Sequence, residues 1–420
     1  MAAPRGRQGC YLPRMLQAGN RGIWRSLLLS GGILLAAFAV FAAPARAADP
    51  YTVDSDIAYG PANEQEGSNL LDVYVPTAES ATPRPVFVWI HGGGWFTGDK
   101  VSSTMGFKAR ALVNAGFIFV SVNYRLSPEL SGPLALSKKR LRYPTHYLDV
   151  SRALGWVDRN IASYGGNSRR MVIGGDSAGG QISSLLSTKP AYLRAAGVST
   201  SQIKGVLALD AVGFDVPRMM TPAYRKINAG FQKMMFNAFG TPAEEKRKRY
   251  WASASPIRFA DRNDPPTFFV VPTTSPDRWA DAKRMAPALG QRLGLVSHRV
   301  RTEHAGVVPL LGNPSGDMGV TAPLMRFAKA AVSSPVRSVP VVQGDRVVKG
   351  VGPLKVGSVR LRVSARPAAR LITCRIDGDR ETLCPRSWRL KAGKHSLRVT
   401  TYGSTGRASV SRLLNLRVTP

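Results

Sequence analysis

The residues Gly174–Gly180 read Gly-Gly-Asp-Ser-Ala-Gly-Gly and stand between two stretches of different periodicity. Met171, Val172 and Ile173 before them form a continuous apolar run, the pattern of a buried strand, while the segment "QISSLL" after them is apolar at helical spacing. The predicted order is strand, sharp turn, helix. A serine at the apex of such a turn presents its hydroxyl from a strained backbone position, and the close passage of strand and helix requires neighbours without bulky side chains. Gly175, Gly179 and Gly180 meet that requirement. Ser177 is therefore the candidate nucleophile.

A second motif lies about eighty residues upstream, where "RPVFVWIHGGGW" places a predicted strand, Val86 to Ile90, directly before His91-Gly92-Gly93-Gly94-Trp95. A tetrahedral intermediate formed at a serine needs backbone N–H donors aimed at the developing negative charge, and glycines let the main chain approach unobstructed. Gly93, Gly94 and Ala178 are the expected donors of an oxyanion hole.

From Tyr51 to about Ala331 the chain resembles the α/β-hydrolase superfamily, specifically esterases of the hormone-sensitive-lipase and feruloyl-esterase-like (BD-FAE) type. The resemblance is carried by "LLDVYVP", "HGGGW" followed by "GDK", "VNYRLSPE", "YPTHYLDVSRALGWVDRNIASYGGNSRRMVIGGDSAGG", "ASPIRFADRNDPPTFFVV" and "HAGVVPLLG". It implies an α/β fold with a mostly parallel eight-stranded sheet and helices on both faces. It also implies a Ser-acid-His triad in that chain order, hydrolysis of carboxylic esters, and neither a metal nor an organic cofactor. Similar HGG-x-W loops occur in formamidases, which makes an amide-cleaving variant the alternative chemistry.

Two of the five histidines are candidates for the base. In "GLVSHRVRTEHAG", Val296, His298, Val300 and Thr302 fall on one face of a predicted strand, whereas His304 follows it, beyond the strand's carboxyl end where a catalytic base belongs. His304 also matches the family position. The acid is where the chain departs from its relatives. After the strand "PTFFVV" the family continues His-Gly-x-x-Asp, but here the residues are "PTTSPDRWAD". Asp277 is the expected orienter of His304, with Asp281 and Asp210 as alternatives, the latter because some α/β hydrolases take their acid from the preceding strand. Ser275-Pro276-Asp277 equally suits the cap and first turn of a helix. Loss of the acid would make the protein a non-catalytic binder.

Ala211 to Ala260 interrupts the strand-helix rhythm. Met219, Met220, Phe231, Met234, Met235 and Phe236 there suit either an adaptable apolar lid or an inserted helix packed into the core.

The chain has 420 residues and a formal net charge of +32. Five arginines precede an uncharged apolar stretch, Ser26 to Ala45, that ends in an Ala45-Arg46-Ala47 cleavage pattern, so residues 1–47 read as a secretory signal peptide rather than a retained anchor. Without them the charge is +26 and two cysteines remain, Cys374 and Cys384, which suit a disulfide in an oxidising compartment. The expected location is extracytoplasmic. Composition changes near Ser334, dividing a catalytic domain over 48–334 from a second domain over 335–420. The latter alternates apolar and polar residues between turn signals and looks like bacterial Ig-like modules in "CRIDGDRETLCPRSWRLKAGKHSLRVTTYGSTG". It carries eighteen basic and four acidic residues, a charge that favours an anionic cell-surface polymer or lipid as partner. A small-molecule or polysaccharide-linked ester is the expected substrate. No basic recognition helix accompanies the charge, which argues against nucleic acid.

Overall fold

Strands buried on both faces lack polar alternation and read as continuous apolar runs, and such runs occupy the centre of the principal sheet. The computed structural model describes residues 49–333, 339–348, 356–366, 369–385, 387–391 and 393–418. The expected signal peptide and the boundary at Ser334 lie outside the described residues. The strands of the first sheet are β1 (Tyr51–Ala58), β2 (Leu70–Pro76), β3 (Arg84–Ile90), β4 (Ile118–Val122), β5 (Gly166–Asp176), β6 (Ile203–Leu209), β7 (Thr267–Pro272) and β8 (Ser297–Val300). Their spatial order is β1-β2-β4-β3-β5-β6-β7-β8. The β1–β2 and β2–β4 pairs are antiparallel and every other pair is parallel. This is the mostly parallel eight-stranded sheet that the resemblance implies.

Twelve α-helices cover it among the described residues: α1 (Met105–Asn114), α2 (Thr145–Asn160), α3 (Ala178–Thr188), α4 (Ala191–Ala195), α5 (Val216–Met219), α6 (Pro222–Ile227), α7 (Ala229–Phe239), α8 (Pro242–Lys248), α9 (Tyr250–Ser253), α10 (Pro276–Ala288), α11 (His304–Val307) and α12 (Thr321–Val332). Successive strand residues point to opposite faces, so each strand feeds two cores. Val86, Val88 and Ile90 of β3 pack with Val150 and Leu154 of α2 and Ile182 and Leu185 of α3. Phe87 and Trp89 pack on the other face with Leu112 of α1, Met285 of α10 and Phe327 of α12. Each such side chain contributes roughly 1.5–3 kcal/mol by burial.

Helices α5–α9 form the insertion that interrupts the strand-helix rhythm. Met219, Met220 and Met235 are buried in the core, whereas Phe231, Met234 and Phe236 are partly buried against it. The insertion is therefore packed rather than loose, and a buried ion pair anchors it. Arg140 meets Glu244 at 2.7 Å with both side chains hidden, and also donates to the carbonyls of Phe236 and Asn237. Burial alone would raise the Glu244 pKa, but the Arg140 hydrogen bond, the Thr241 backbone N–H and the charges of Arg140 and Arg142 together pull it down to about 2.

The remaining strands form a separate all-β unit, β9 (Val339–Val348), β10 (Val356–Arg366), β11 (Leu371–Ile376), β12 (Thr382–Leu383), β13 (Ser387–Lys391), β14 (Gly393–Tyr402) and β15 (Ala408–Val418). They make two antiparallel sheets, β13-β10-β9 and β12-β11-β14-β15, around a small core of Cys374, Leu390, Leu397 and Val399. Cys374 is bonded to Cys384. The unit grips the α10–β8 connection. Gln291 donates to the Thr405 carbonyl at 2.7 Å, the Arg292 N–H to Gly406 at 2.9 Å, and Arg407 to the carbonyls of Asp264 and Leu289.

Candidate active site

Open parallel sheets bring functional groups together at the carboxyl ends of their strands, where the loops converge. Ile90 ends β3 and leads into His91-Gly92-Gly93-Gly94; Asp176 ends β5 and leads into Ser177; Leu209 ends β6 and leads into Asp210; β8 leads to His304, the first residue of α11. The predicted motifs thus meet on one edge.

Ser177 has φ 48° and ψ −113°, a strained turn between β5 and α3. Its neighbours have to be small. A Cβ on Gly175 or on Gly179 would stand 1.9 Å from the Ile90 carbonyl oxygen, so the elbow closes against the end of β3 only with glycine at both positions. Ser177 itself is buried and its N–H donates to the Leu209 carbonyl at 2.8 Å. Ala178 opens α3, where a helix's first N–H groups have no intrahelical acceptor.

The glycine loop is held from beneath. The Tyr124 hydroxyl donates to the His91 carbonyl at 3.0 Å, and the His91 ring stacks on Tyr124 with centroids 4.3 Å apart. Burial pushes the His91 pKa down to about 4, against the Gly92 backbone bond and the Asp99 charge, so the ring is neutral at pH 7. Gly93 and Gly94 both adopt positive φ, 90° and 60°. Met234 of α7 lies where a Gly94 Cβ would project, so the insertion covers the loop. Gly92 donates to the buried Asp176 carboxylate, whose pKa burial raises despite the Lys108 charge and those backbone bonds. Lys108 lies in the same region, lining a cavity of about 550 Å³ with His91, Gly92 and Asp176. Its ammonium donates to Thr104 at 2.7 Å and sits 5.3 Å from the centre of the Trp89 ring. Burial lowers its pKa to about 8.

His304 Nδ1 is 2.5 Å from Asp210 Oδ2. The expectation that Asp277 orients this histidine is corrected: Asp277 instead accepts from the Tyr224 hydroxyl at 2.9 Å, in the first turn of α10. Asp281 faces away into an ion-pair cluster with Arg284 at 2.6 Å and Arg218 at 3.3 Å, and burial raises its pKa to about 6 even so. The physical reason lies in strand register. β6 and β7 run side by side, with Leu209 opposite Val270, so the residue just past β6 reaches the carboxyl edge directly, whereas Asp277 has already been drawn into a helix. Asp210 is fully buried and has φ 42°. Its local signal in the sequence was the apolar strand ending immediately before it. Arg278 had no such signal, yet it contacts both members of the pair, lying 2.7 Å from Asp210 Oδ2 and 2.8 Å from His304 Nδ1.

A cavity of about 430 Å³ opens beside Arg278, walled by Met219, Tyr224 and Phe231 and bordered by Asp277 and Arg218. Among the described residues, no group of three or more His, Cys, Asp or Glu could hold a metal ion.

Residues 71–277 match the family model described as BD-FAE. The sheet is that of the α/β-hydrolase fold. Similar curated proteins include the "Probable carboxylic ester hydrolase LipM" of Mycobacterium tuberculosis, 31% identical over 53% of this chain and 47% of that protein. "Esterase LipQ" of the same organism is 36% identical over 31% of this chain and 28% of that protein. The chain thus spans about half or less of the length of these relatives. Among solved structures, a truncated carbohydrate esterase from gut microbiota superposes with a TM-score of 0.50 at 19% identity, over 68% of this chain and 98% of that chain. Esterase B from Lactobacillus rhamnosus superposes equally, TM-score 0.50, at 16% identity over 68% and 87% of the two chains. At such identities the superpositions speak for the fold.

Proposed function

We propose that this α/β hydrolase is an exported serine carboxylesterase acting on short- to medium-chain esters. The observation that carries the reading is the His304–Asp210 contact at the same strand edge as the strained Ser177 elbow. In the proposed reaction Ser177 Oγ bonds to the ester carbonyl carbon while its proton passes to His304 Nε2, the ring nitrogen left available when Nδ1 engages Asp210. The N–H groups of Gly93, Gly94 and Ala178 receive the oxyanion. Collapse breaks the bond to the alcohol oxygen, which takes the proton from His304. Water then attacks the acyl-enzyme, losing a proton to His304, and the bond to Ser177 Oγ breaks as His304 returns that proton to it, freeing the acid.

The 430 Å³ cavity adjoins the His304–Asp210 pair through Arg278 rather than through Ser177 itself; taken as the acyl site, it lies toward the small end of ligand pockets, which run from roughly 300 to 1,000 Å³, and suits short to medium acyl groups. A histidine with a buried carboxylate partner argues against a fold that has lost its acid. Export is supported by the arginine-flanked apolar segment with its cleavage pattern and by the Cys374–Cys384 bond. The +14 charge of residues 335–420 supports retention on an anionic polymer or lipid surface by a unit that resembles Ig-like modules.

The reading is tested by a hydrolysis panel from p-nitrophenyl acetate to laurate, together with fluorophosphonate labelling of wild type and Ser177→Ala. Labelling of wild type alone, with turnover greatest at short to medium chains, is expected. A rate maximum at laurate overturns the chain-length reading, and labelling that survives in Ser177→Ala overturns the nucleophile. Cleavage of formanilide in preference to esters would favour the amide-cleaving alternative.

A further inference from the structure

Arg278 is the third residue of α10, its side chain only 11% exposed, and its Nη1 is surrounded by three groups of the acid–base pair. It lies 2.5 Å from the Asp210 carbonyl oxygen, 2.7 Å from Asp210 Oδ2 and 2.8 Å from His304 Nδ1. We propose that Arg278 is a positioning residue that fixes the Asp210 carboxylate, and through it the His304 tautomer required of a general base. The proposal deepens the reading of the site given above and rests on it.

The hydrogens of this cluster can be assigned from the donors present. Arg Nη1 carries two hydrogens and cannot accept. Asp210 Oδ2 and His304 Nδ1 are 2.5 Å apart, too close for two bare acceptors, so a proton lies between them. With that proton on Nδ1, the two Nη1 hydrogens go to the Asp210 carbonyl and to Oδ2. His304 Nε2 is then unprotonated and free to take the serine proton. Were Arg278 to donate to Nδ1 instead, the ring's own hydrogen would lie on Nε2 and the base would be blocked. The two acceptors on Asp210 thus take both Nη1 hydrogens and leave none for the imidazole.

Charge and strain point the same way. The Asp210 side chain is 1% exposed, its Oδ1 has no hydrogen-bond partner among the described residues, and its backbone sits at φ 42°. A buried carboxylate without a permanent cation is costly, and a general base is a cation only while it holds the transferred proton. Arg278 supplies that cation, and its second bond, to the carbonyl of the same residue, restrains the strained main chain. The charge comes from the first turn of α10, just after β7.

The test compares Arg278→Ala and Arg278→Lys in the full-length protein by kcat and KM on p-nitrophenyl acetate, thermal melting, rescue by methylguanidinium, and proton NMR of the downfield His304 Nδ1–H resonance. For Arg278→Ala we expect kcat to fall on the order of a hundredfold with KM within about threefold, the NMR resonance to disappear, and millimolar methylguanidinium to restore at least tenfold of the rate. Arg278→Lys, which can reach one oxygen but not both, should be intermediate. A kcat for Arg278→Ala within about threefold of wild type overturns the proposal. So does a loss that tracks the melting temperature and ignores methylguanidinium, because Arg278 would then only fasten α10 to β6. If wild type hydrolyses no ester, the functional reading fails instead, and the positioning claim is still decided by whether the Nδ1–H resonance is present in wild type and lost in Arg278→Ala.

Discussion

Replacing Asp210 by asparagine exchanges one oxygen for an amide nitrogen at the centre of the acid–base pair. The oxygen of the amide should keep the Oδ2 position, because Arg278 and the His304 Nδ1–H both donate there. The fold and the tautomer are then retained while the negative charge is lost. When His304 is protonated in the transition state, that charge is worth about 4 kcal/mol for unit charges near 4 Å at an effective dielectric of about 20. At about 1.4 kcal/mol per decade this is roughly a thousandfold in kcat. Arg278, no longer balanced, repels the imidazolium and adds to the loss, so the expected fall lies between about a thousandfold and ten-thousandfold, the latter being the scale of the corresponding change in serine-protease triads. Asp277→Asn keeps an amide oxygen that can still accept from Tyr224 and should stay within about threefold of wild type. The assay is steady-state hydrolysis of p-nitrophenyl acetate, with circular-dichroism melting to verify that both variants are folded. A folded Asp210→Asn variant within tenfold of wild type, or a crippled Asp277→Asn, would refute the assignment.

Gly179→Ala would place a methyl 1.9 Å from the Ile90 carbonyl and 2.7 Å from that of His91, and should cost about 3 kcal/mol or more in urea unfolding; an unchanged midpoint would show that the elbow tolerates bulk. Lys108→Met should stabilise the protein by roughly 3 kcal/mol near neutral pH, since a lysine held at about 8 rather than 10.5 penalises the folded state while it is charged. Between these two pH values the unfolded chain binds the extra proton, so wild-type stability gains on the variant as pH rises and the advantage should vanish above about 10.5; a gain independent of pH would locate its cause in packing instead. Arg407→Ala removes the guanidinium bonds to Asp264 and Leu289 and should lower stability by about 1–3 kcal/mol and separate the calorimetric transitions of the two domains; a single unshifted transition would mean that this contact does not couple them.

What the sequence determined by itself is local. A strand, a sharp turn and a helix around Ser177 follow from an apolar run, a cluster of glycines and helical spacing, and each of these acts within a few residues of the serine. The glycine loop after β3 and the placement of His304 beyond β8 were legible for the same reason, because a group just past a strand's end is located by the strand. The cysteine pair was readable because Cys374 and Cys384 stand ten residues apart, far from Cys10. The partner of His304 was not local. Asp210 is 94 residues away in sequence, and its choice over Asp277 depended on how β6 and β7 align and on where α10 begins. Both aspartates follow apolar strands, so periodicity could not separate them. Arg278 was less legible still, since an arginine in the first turn of a helix looks like a solvated charge until the fold turns it toward a buried carboxylate. Secondary structure is set by contacts a few residues apart, whereas a charge pair is set by desolvation, and which groups lose water together is decided only when the strands lie side by side.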